Sequence, residues 1–392
     1  MKRNICGNVS FIGAIDWDLK KFHGEDYSIS SGSSQNAYLI EEEKTVLIDT
    51  VLTENRCEFI KNLEEEKLLD RIDIIVINHA EKDHSGALSC LMNKINVPIY
   101  CSAACKNILE GQYGKRGWDF RIVKTGDELE IGNGKKLVFL DMKMLHWPDS
   151  MATYLTKDEV LFSNDAFGQH LAIEELFSDK ADEGVLFKEA LKYFVNILNP
   201  FSVLLLKKIE ELEKSGLNFS YIAPSHGAIW RKNTKKILEK YKEWANSYKE
   251  NQISIVYDSM WGGTRKLAKK IEQSLNSKED VVVKVFDIAK TEKSDIMVEI
   301  FKSRAIFVGC PTVSNSITST MAGFLEYLKQ LKFKNKKAGV FGCYGWSGES
   351  IKILKEKLKE SGFSVCEDVI SCLWSPSQED CLKIQSFVEN VL

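Results

Sequence analysis

From Ile253 onward, strand-like apolar runs and helix-like runs alternate in a fixed order, and no other feature narrows the fold as far. The strands are Ile253 to Tyr257, Val281 to Phe286, Ala305 to Gly309, Lys337 to Gly342 and a last one near Glu367 to Ile370. Helical patterns follow them: Thr264 to Asn276, a short Ile296 to Phe301, Ala322 to Leu331, Glu349 to Glu360, and a closing helix from about Gln378. Five such units predict a doubly wound parallel sheet, because parallel neighbours need a helical crossover that returns with one hand. The preceding residues follow a different pattern. Short strands are expected at Val9 to Ile15, Tyr38 to Ile40, Thr45 to Ile48, Ile72 to Ile77, Lys136 to Leu140 and Val160 to Phe162. Helices are expected at Glu54 to Lys67, Gly86 to Lys94, Val185 to Leu198, Phe201 to Ser215 and Thr234 to Tyr248. Strands without strict alternation, with helices outside, suit a layered sheet sandwich. A chain of 392 residues exceeds one ordinary core. The polar step Lys249-Glu250-Asn251 sets the expected boundary, giving domains 1–250 and 251–392.

Charge and composition exclude several classes. A net charge of -3 offers no basic face, so neither nucleic acid nor an anionic membrane is expected as a partner. No apolar run approaches the roughly 18 residues that span a bilayer. The basic start Met1-Lys2-Arg3 has no apolar segment behind it, so no secretory signal is read and a cytoplasmic location is expected. The ten cysteines are scattered and none has C-x-x-C spacing. They read as reduced thiols, and an iron–sulfur or thiolate–iron electron donor is expected on a separate protein.

Three strand ends in the C-terminal half carry unusual loops. The first is Ser259-Met260-Trp261-Gly262-Gly263-Thr264, whose hydroxyls and glycines let backbone N–H groups close around a phosphate at a helix N-terminus. The second is Gly309-Cys310-Pro311-Thr312-Val313-Ser314-Asn315, and the third Gly342-Cys343-Tyr344-Gly345-Trp346-Ser347-Gly348. Ligands in open α/β sheets bind beyond the carboxyl ends of the strands. The second and third loops suit a flat ring system, with Trp261, Tyr344 and Trp346 available for stacking. There is no G-x-G-x-x-G at the first turn and no lysine in the hydroxyl-rich loop, so neither a dinucleotide nor a P-loop nucleotide fits. Any one loop alone also reads as an ordinary capped turn.

In the first half, His79, Glu81, Asp83 and His84 fall within six residues, directly after the apolar run Ile72 to Ile77. Four potential metal ligands where a buried strand opens into a loop are hard to explain as packing. His146, Asp165 and His226 each follow another apolar strand, which would bring them to the same rim. Alone, each reads as a turn or capping residue. As a set they use four of the six histidines in the chain.

The C-terminal half resembles a flavodoxin, which implies FMN as cofactor. Gly263 stands where such modules often carry a hydroxyl, and Ser314 where asparagine is common. The N-terminal set resembles the metallo-β-lactamase fold family, whose hydrolases bind zinc through H-x-H-x-D-H. Here Glu81 replaces the middle histidine. With Glu81, Asp83 and Asp165 there are three carboxylates, and such oxygen-rich ligation favours redox iron over a zinc pair. A metallo-β-lactamase-like αββα sandwich followed by a flavodoxin-like parallel sheet resembles the flavodiiron proteins (A-type flavoproteins) across nearly the whole chain.

That resemblance implies two non-haem iron ions, one held by His79, Glu81 and His146, the other by Asp83 and His226, with Asp165 bridging. His84 is included as a ligand of the second iron that can give way to water. His23, His170 and Tyr193 are candidates for lining the substrate pocket, with a surface or packing role as the alternative. The implied reaction is four-electron reduction of dioxygen to water, or reduction of nitric oxide to nitrous oxide, and the family resemblance leans toward dioxygen. Electrons would come from rubredoxin or a similar small iron protein, through FMN. A head-to-tail homodimer, or a dimer of such dimers, would set one subunit's FMN against its partner's iron pair. The rivals are a dizinc hydrolase fused to a flavin module and a redox carrier without turnover.

Overall fold

The computed structural model describes residues 2–392, which divide into two compact units. The first comprises the chain up to Lys20, Ile29–Phe194 and Phe201–Lys242; the second comprises Lys21–Ser28, Val195–Pro200 and Glu243–Leu392.

The first unit is built on two sheets. One holds seven strands in the order Arg3–Cys6, Val9–Phe11, Tyr38–Glu41, Thr45–Ile48, Ile72–Val76, Ile99–Cys101 and Phe120–Ile122. The other holds six: Glu128–Gly132, Lys135–Asp141, Met151–Leu155, Val160–Asn164, Tyr221–Pro224 and Trp230–Arg231. The layering follows from residue alternation. Tyr38, Ile40, Val46, Ile48 and Val76 share one core with Leu137, Phe139, Met151 and Phe162 of the other sheet. The residues between them, Leu39, Leu47 and Ile75, belong to a second core with Phe59, Leu63, Leu88 and Leu109 from helices. A strand with both faces covered reads as a continuous apolar run. The strand Met151–Leu155 is buried throughout and lacks period-two alternation, so sequence pattern alone passes over it. The expected strand Val9 to Ile15 is two strands in different sheets, Val9–Phe11 and Ala14–Asp16. The expected helix Val185 to Leu198 is α-helical only over Glu183–Tyr193 and continues as a π-helical turn, Phe194–Leu198.

The second unit contains a five-stranded sheet in the order Val282–Asp287, Gln252–Tyr257, Ala305–Gly309, Lys337–Tyr344 and Ser364–Leu373. All four pairings are parallel, with Ile253 opposite both Val283 and Ala305. In chain order this is 2-1-3-4-5, the flavodoxin-like arrangement. Helices Gly263–Asn276 and Gln378–Val391 cover one face, where Leu267, Ile271, Ile384 and Phe387 meet Ile255, Phe307 and Phe341. Two short excursions of the chain also belong to this unit. The Ser28 N–H donates to Ser294 Oγ at 3.0 Å, and the Tyr327 hydroxyl donates to Asn196 Oδ1 at 2.6 Å. A boundary drawn at one point along the sequence cannot register such returns. The compact division itself falls between Lys242 and Glu243, ahead of the strand Gln252–Tyr257.

Candidate metal centre and flavin cavity

The metal-ligand candidates of the first unit converge at the carboxyl ends of its strands. His79 follows the strand Ile72–Val76 by three residues. The next residues do not form an open loop: Lys82–Ser85 is a short helix entered at Glu81, and it carries Asp83 and His84 inward. Asp165 directly follows Val160–Asn164, and His226 lies two residues beyond Tyr221–Pro224. His146 is in the turn between Lys135–Asp141 and Met151–Leu155. Neighbouring groups hold these turns. The Asn78 N–H donates to Asp49 Oδ1 at 2.7 Å, and the Thr50 hydroxyl donates to the His84 carbonyl at 2.8 Å. The Asn36 amide clamps the His226 loop by donating to the Pro224 and Gly227 carbonyls at 2.8 and 3.0 Å.

The side chains sort into two groups that share one carboxylate. His79 Nε2 and His146 Nε2 lie 3.2 and 3.4 Å from Glu81 Oε2, and 3.8 and 3.6 Å from Asp165 Oδ2. His84 Nε2 and His226 Nε2 lie 3.3 and 3.2 Å from Asp83 Oδ2, and 3.2 and 3.5 Å from Asp165 Oδ1. Asp165 therefore turns one oxygen to each group. His79, His146 and Asp165 offer donor atoms within 4.8 Å of one another, as do Asp83, His84 and His226.

The electrostatics fit cation binding. Burial alone would lower the His79 imidazole, but the Asp149 and Glu81 carboxylates and the Asp165 charge lift it to about 10. Burial is likewise outweighed at His226, where Asp165 and Asp83 raise the ring to about 9. Burial pushes the Asp165 carboxyl up, yet the His84 charge and the hydrogen bonds from His226 and His84 hold it well below the usual range. Without metal, protons on imidazoles neutralise buried carboxylates; divalent cations would displace them. Asp83 Oδ1 and Asp165 Oδ2 are buried and have no hydrogen-bond partner among the described residues. Buried carboxylate oxygens left in this way are costly unless a cation compensates them.

Two of the three pocket candidates belong to the first unit, beside this cluster. The Tyr193 hydroxyl donates to Asp165 Oδ1 at 3.0 Å. His170 is buried, with Nδ1 2.7 Å from the Ser33 hydroxyl and its ring 5.1 Å from Tyr193 and 5.2 Å from His226. His23 belongs to the second unit, on the turn after Lys21–Phe22, where it is exposed with its ring 4.5 Å from Phe22. Sequence reading missed Asp149 and Asp49, both buried against the ligand run. The signal for Asp149 is its place three residues after His146.

In the second unit, the three expected loops line a single cavity of roughly 340 Å³. Ser259, Met260, Trp261, Gly263 and Thr264 contribute from the first loop, Pro311 to Ser314 from the second, and Tyr344 to Trp346 from the third. Cys343, from the third loop, and Trp374, which lies outside all three expected loops, complete the lining. Four expected residues stand behind the lining. Gly262 takes a left-handed φ of 85° and donates to Ser259 Oγ at 3.1 Å, ending the turn before helix Gly263–Asn276. Asn315 donates to Ser347 Oγ and Glu349 Oε1 at 3.2 and 3.0 Å, so Ser347 too braces the rim from behind. Gly348 is the residue at the entry to helix Glu349–Glu360. The departure at Gly263 has a steric reason: a Cβ there would lie 2.4 Å from the Trp374 carbonyl oxygen and 3.0 Å from Cys343 Sγ. Aromatic walls beside a helix N-terminus fit a ring system bearing a phosphate.

The comparisons with known proteins agree with both halves. A flavodoxin family profile matches residues 255–384, and one described as ODP family beta lactamase matches residues 33–227. An anaerobic nitric oxide reductase flavorubredoxin from Vibrio vulnificus is 47% identical over 378 residues, covering 96% of this chain and 76% of that protein. A protein of the same description from Escherichia coli is 46% identical over 377 residues, covering 96% of this chain and 78% of its own length. Among solved structures, the rubredoxin oxygen:oxidoreductase of Desulfovibrio gigas has a TM-score of 0.96 at 36% identity, over 100% of this chain and 98% of that one. The flavodiiron protein of Giardia intestinalis has a TM-score of 0.94 at 28% identity, over 100% and 96%. A metallo-β-lactamase-like unit joined to a flavodoxin-like unit is the defining architecture, and the chain belongs to the flavodiiron proteins. No described helix is long and apolar enough to cross a membrane.

Proposed function

We propose that this protein is an oxidoreductase that reduces nitric oxide to nitrous oxide, dioxygen to water, or both, at a pair of non-haem irons fed by FMN. The carrying observation is the ligand cluster in which Asp165 presents one oxygen to each group of histidines. Relatives support each substrate: proteins 46% and 47% identical are called nitric oxide reductases, and one 36% identical is called an oxygen oxidoreductase.

In this reading His79, Glu81 and His146 would hold one iron and Asp83, His84 and His226 the other, with one oxygen of Asp165 available to each. The geometry favours His84 as a ligand, since its Nε2 approaches the same Asp83 and Asp165 oxygens as that of His226. A ferrous pair would supply open coordination positions and two electrons, and reduced FMN two more. The chain supplies the setting. Three carboxylates offset most of the charge of two divalent ions, and the burial of His79, Asp83, His84, Asp165 and His226 excludes water. The Tyr193 hydroxyl donates to Asp165 Oδ1 at 3.0 Å and so orients that carboxylate within the cluster. His170, braced by Ser33, walls the same side. In the second unit the aromatic cavity would hold FMN, and the N-terminus of helix Gly263–Asn276 would receive its phosphate. We assign residues 1–250 and 251–392 to these two roles, with Lys21–Ser28 and Val195–Pro200 packing as part of the second unit.

Rubredoxin or a similar small iron protein is the proposed donor, and a head-to-tail homodimer the proposed assembly. The cavity rim supports an assembly that covers it: Trp261, Trp346 and Trp374 are 92%, 81% and 66% exposed. The deciding experiment is steady-state turnover with each gas, using chemically reduced rubredoxin, alongside iron and FMN quantification. Two irons and one FMN per chain with multi-electron gas reduction are expected. Zinc with hydrolytic activity, or reoxidation without gas turnover, would overturn the reading.

A further inference from the structure

We propose that Asp149 is a positioning residue that makes the two metal positions unequal, by turning His79 into a stronger donor than His226. The inference rests on the diiron reading above. Asp149 is fully buried. Its Oδ2 lies 3.0 Å from His79 Nδ1 and accepts the Ala80 N–H at 2.8 Å. A carboxylate can only accept, so the Nδ1 proton of His79 is fixed and the lone pair of Nε2 faces the cluster. The Asp149 backbone is itself anchored, since the Ser102 hydroxyl donates to its carbonyl at 2.9 Å. Trp147 packs edge-on to His79 at 5.0 Å, closing the ring into one orientation.

The opposite position is built differently. His226 Nδ1 donates to the backbone carbonyl of Ser34 at 2.7 Å. That bond fixes the same tautomer but carries no charge. A carboxylate behind an imidazole raises the basicity of its ligating nitrogen, whereas a neutral carbonyl mainly orients the ring. The Asp149 charge is also retained at a cost: Oδ1 is buried without a hydrogen-bond partner among the described residues. For packing or orientation alone, a neutral acceptor like that behind His226 would suffice. An ion at the His79, Glu81 and His146 position would therefore be held more tightly through His79 than its neighbour is through His226.

The test uses Asp149→Asn, which keeps the size and one acceptor oxygen but removes the charge, and Asp149→Ala, which removes both. Both are read in the full-length, iron-loaded protein. Mössbauer spectra of ⁵⁷Fe-loaded protein report each iron separately, and competition with a chelator reports the affinity of each. In Asp149→Asn one iron signal is expected to shift while the other stays, with affinity at one position falling roughly tenfold. In Asp149→Ala that loss is expected to approach roughly 100-fold at the same position. If the Asn variant leaves both signals and both affinities unchanged, or alters both irons equally, the proposal fails, whether or not the Ala variant folds. Wild-type protein that holds no iron pair would instead sink the diiron reading itself.

Discussion

Gly263 offers a direct test of how the flavin cavity is built. Flavodoxin modules often place a hydroxyl at this position, so Gly263→Ser would be expected on pattern alone to improve phosphate binding. The structure predicts the reverse. The added Cβ would sit 2.4 Å from the Trp374 carbonyl oxygen, roughly 0.9 Å inside an ordinary carbon–oxygen contact. Cys343 Sγ, at 3.0 Å, blocks retreat on that side. Trp374 cannot yield easily: its N–H donates to the Tyr344 carbonyl at 2.7 Å, and its φ is +59°. Overpacking of this kind costs about 1–3 kcal/mol. Replacing glycine at the start of a helix returns about 0.5 kcal/mol. The net effect is about 0.5–2.5 kcal/mol, a factor of roughly 2–70 in an equilibrium constant. Titration of apoprotein with FMN, followed by flavin fluorescence quenching, should show that weakening, together with a lower melting temperature. Binding as tight as wild type at an unchanged melting temperature would refute the crowding argument and leave the hydroxyl pattern as the governing feature.

Other substitutions probe the scaffold. Gly111 lies in the helix Ala103–Tyr113 with nothing within 4 Å of where a Cβ would project, so Gly111→Ala should stabilise the protein by about 0.5–1 kcal/mol in urea denaturation. Asn36→Ala removes both donors that clamp the His226 loop and should cost about 1–3 kcal/mol, with iron lost first from the Asp83 and His226 position in a chelator competition. Lys336 is buried and donates to the Phe301 and Ser303 carbonyls at 2.6 and 2.7 Å, so Lys336→Met should cost about 1–3 kcal/mol. Burial, with Lys249 nearby, pushes the Lys336 amine down to about 7. Between that value and 10.5 the unfolded chain binds the extra proton, so wild-type stability should rise relative to Lys336→Met from pH 7 to pH 9. Parallel pH profiles for the two proteins would contradict this.

Much of the architecture is legible before folding because it depends on local periodicity. The strands Thr45–Ile48 and Ala305–Gly309 and the helix Glu349–Glu360 coincide with the bounds expected from sequence. The ligand set is legible for a related reason: metal chemistry demands particular side chains, and strand ends are where a sheet can present them. The strand Met151–Leu155 is not legible in this way, because burial on both faces erases its period. Nor is the helix Lys82–Ser85, which turns Asp83 and His84 inward where an open loop was expected.

By itself, then, the order of residues determined that a parallel sheet follows a sandwich, and that imidazoles and carboxylates gather where apolar strands end. Tertiary structure alone decided which oxygen of Asp165 faces which histidines, and that a carboxylate stands behind His79 but a carbonyl behind His226. It also decided that Trp374 closes over Gly263, and that Lys21–Ser28 and Val195–Pro200 leave the first unit for the second. The physical reason is range: periodicity and ligand chemistry are carried by neighbours in sequence, whereas orientation and steric closure arise between segments that meet only once the chain has folded.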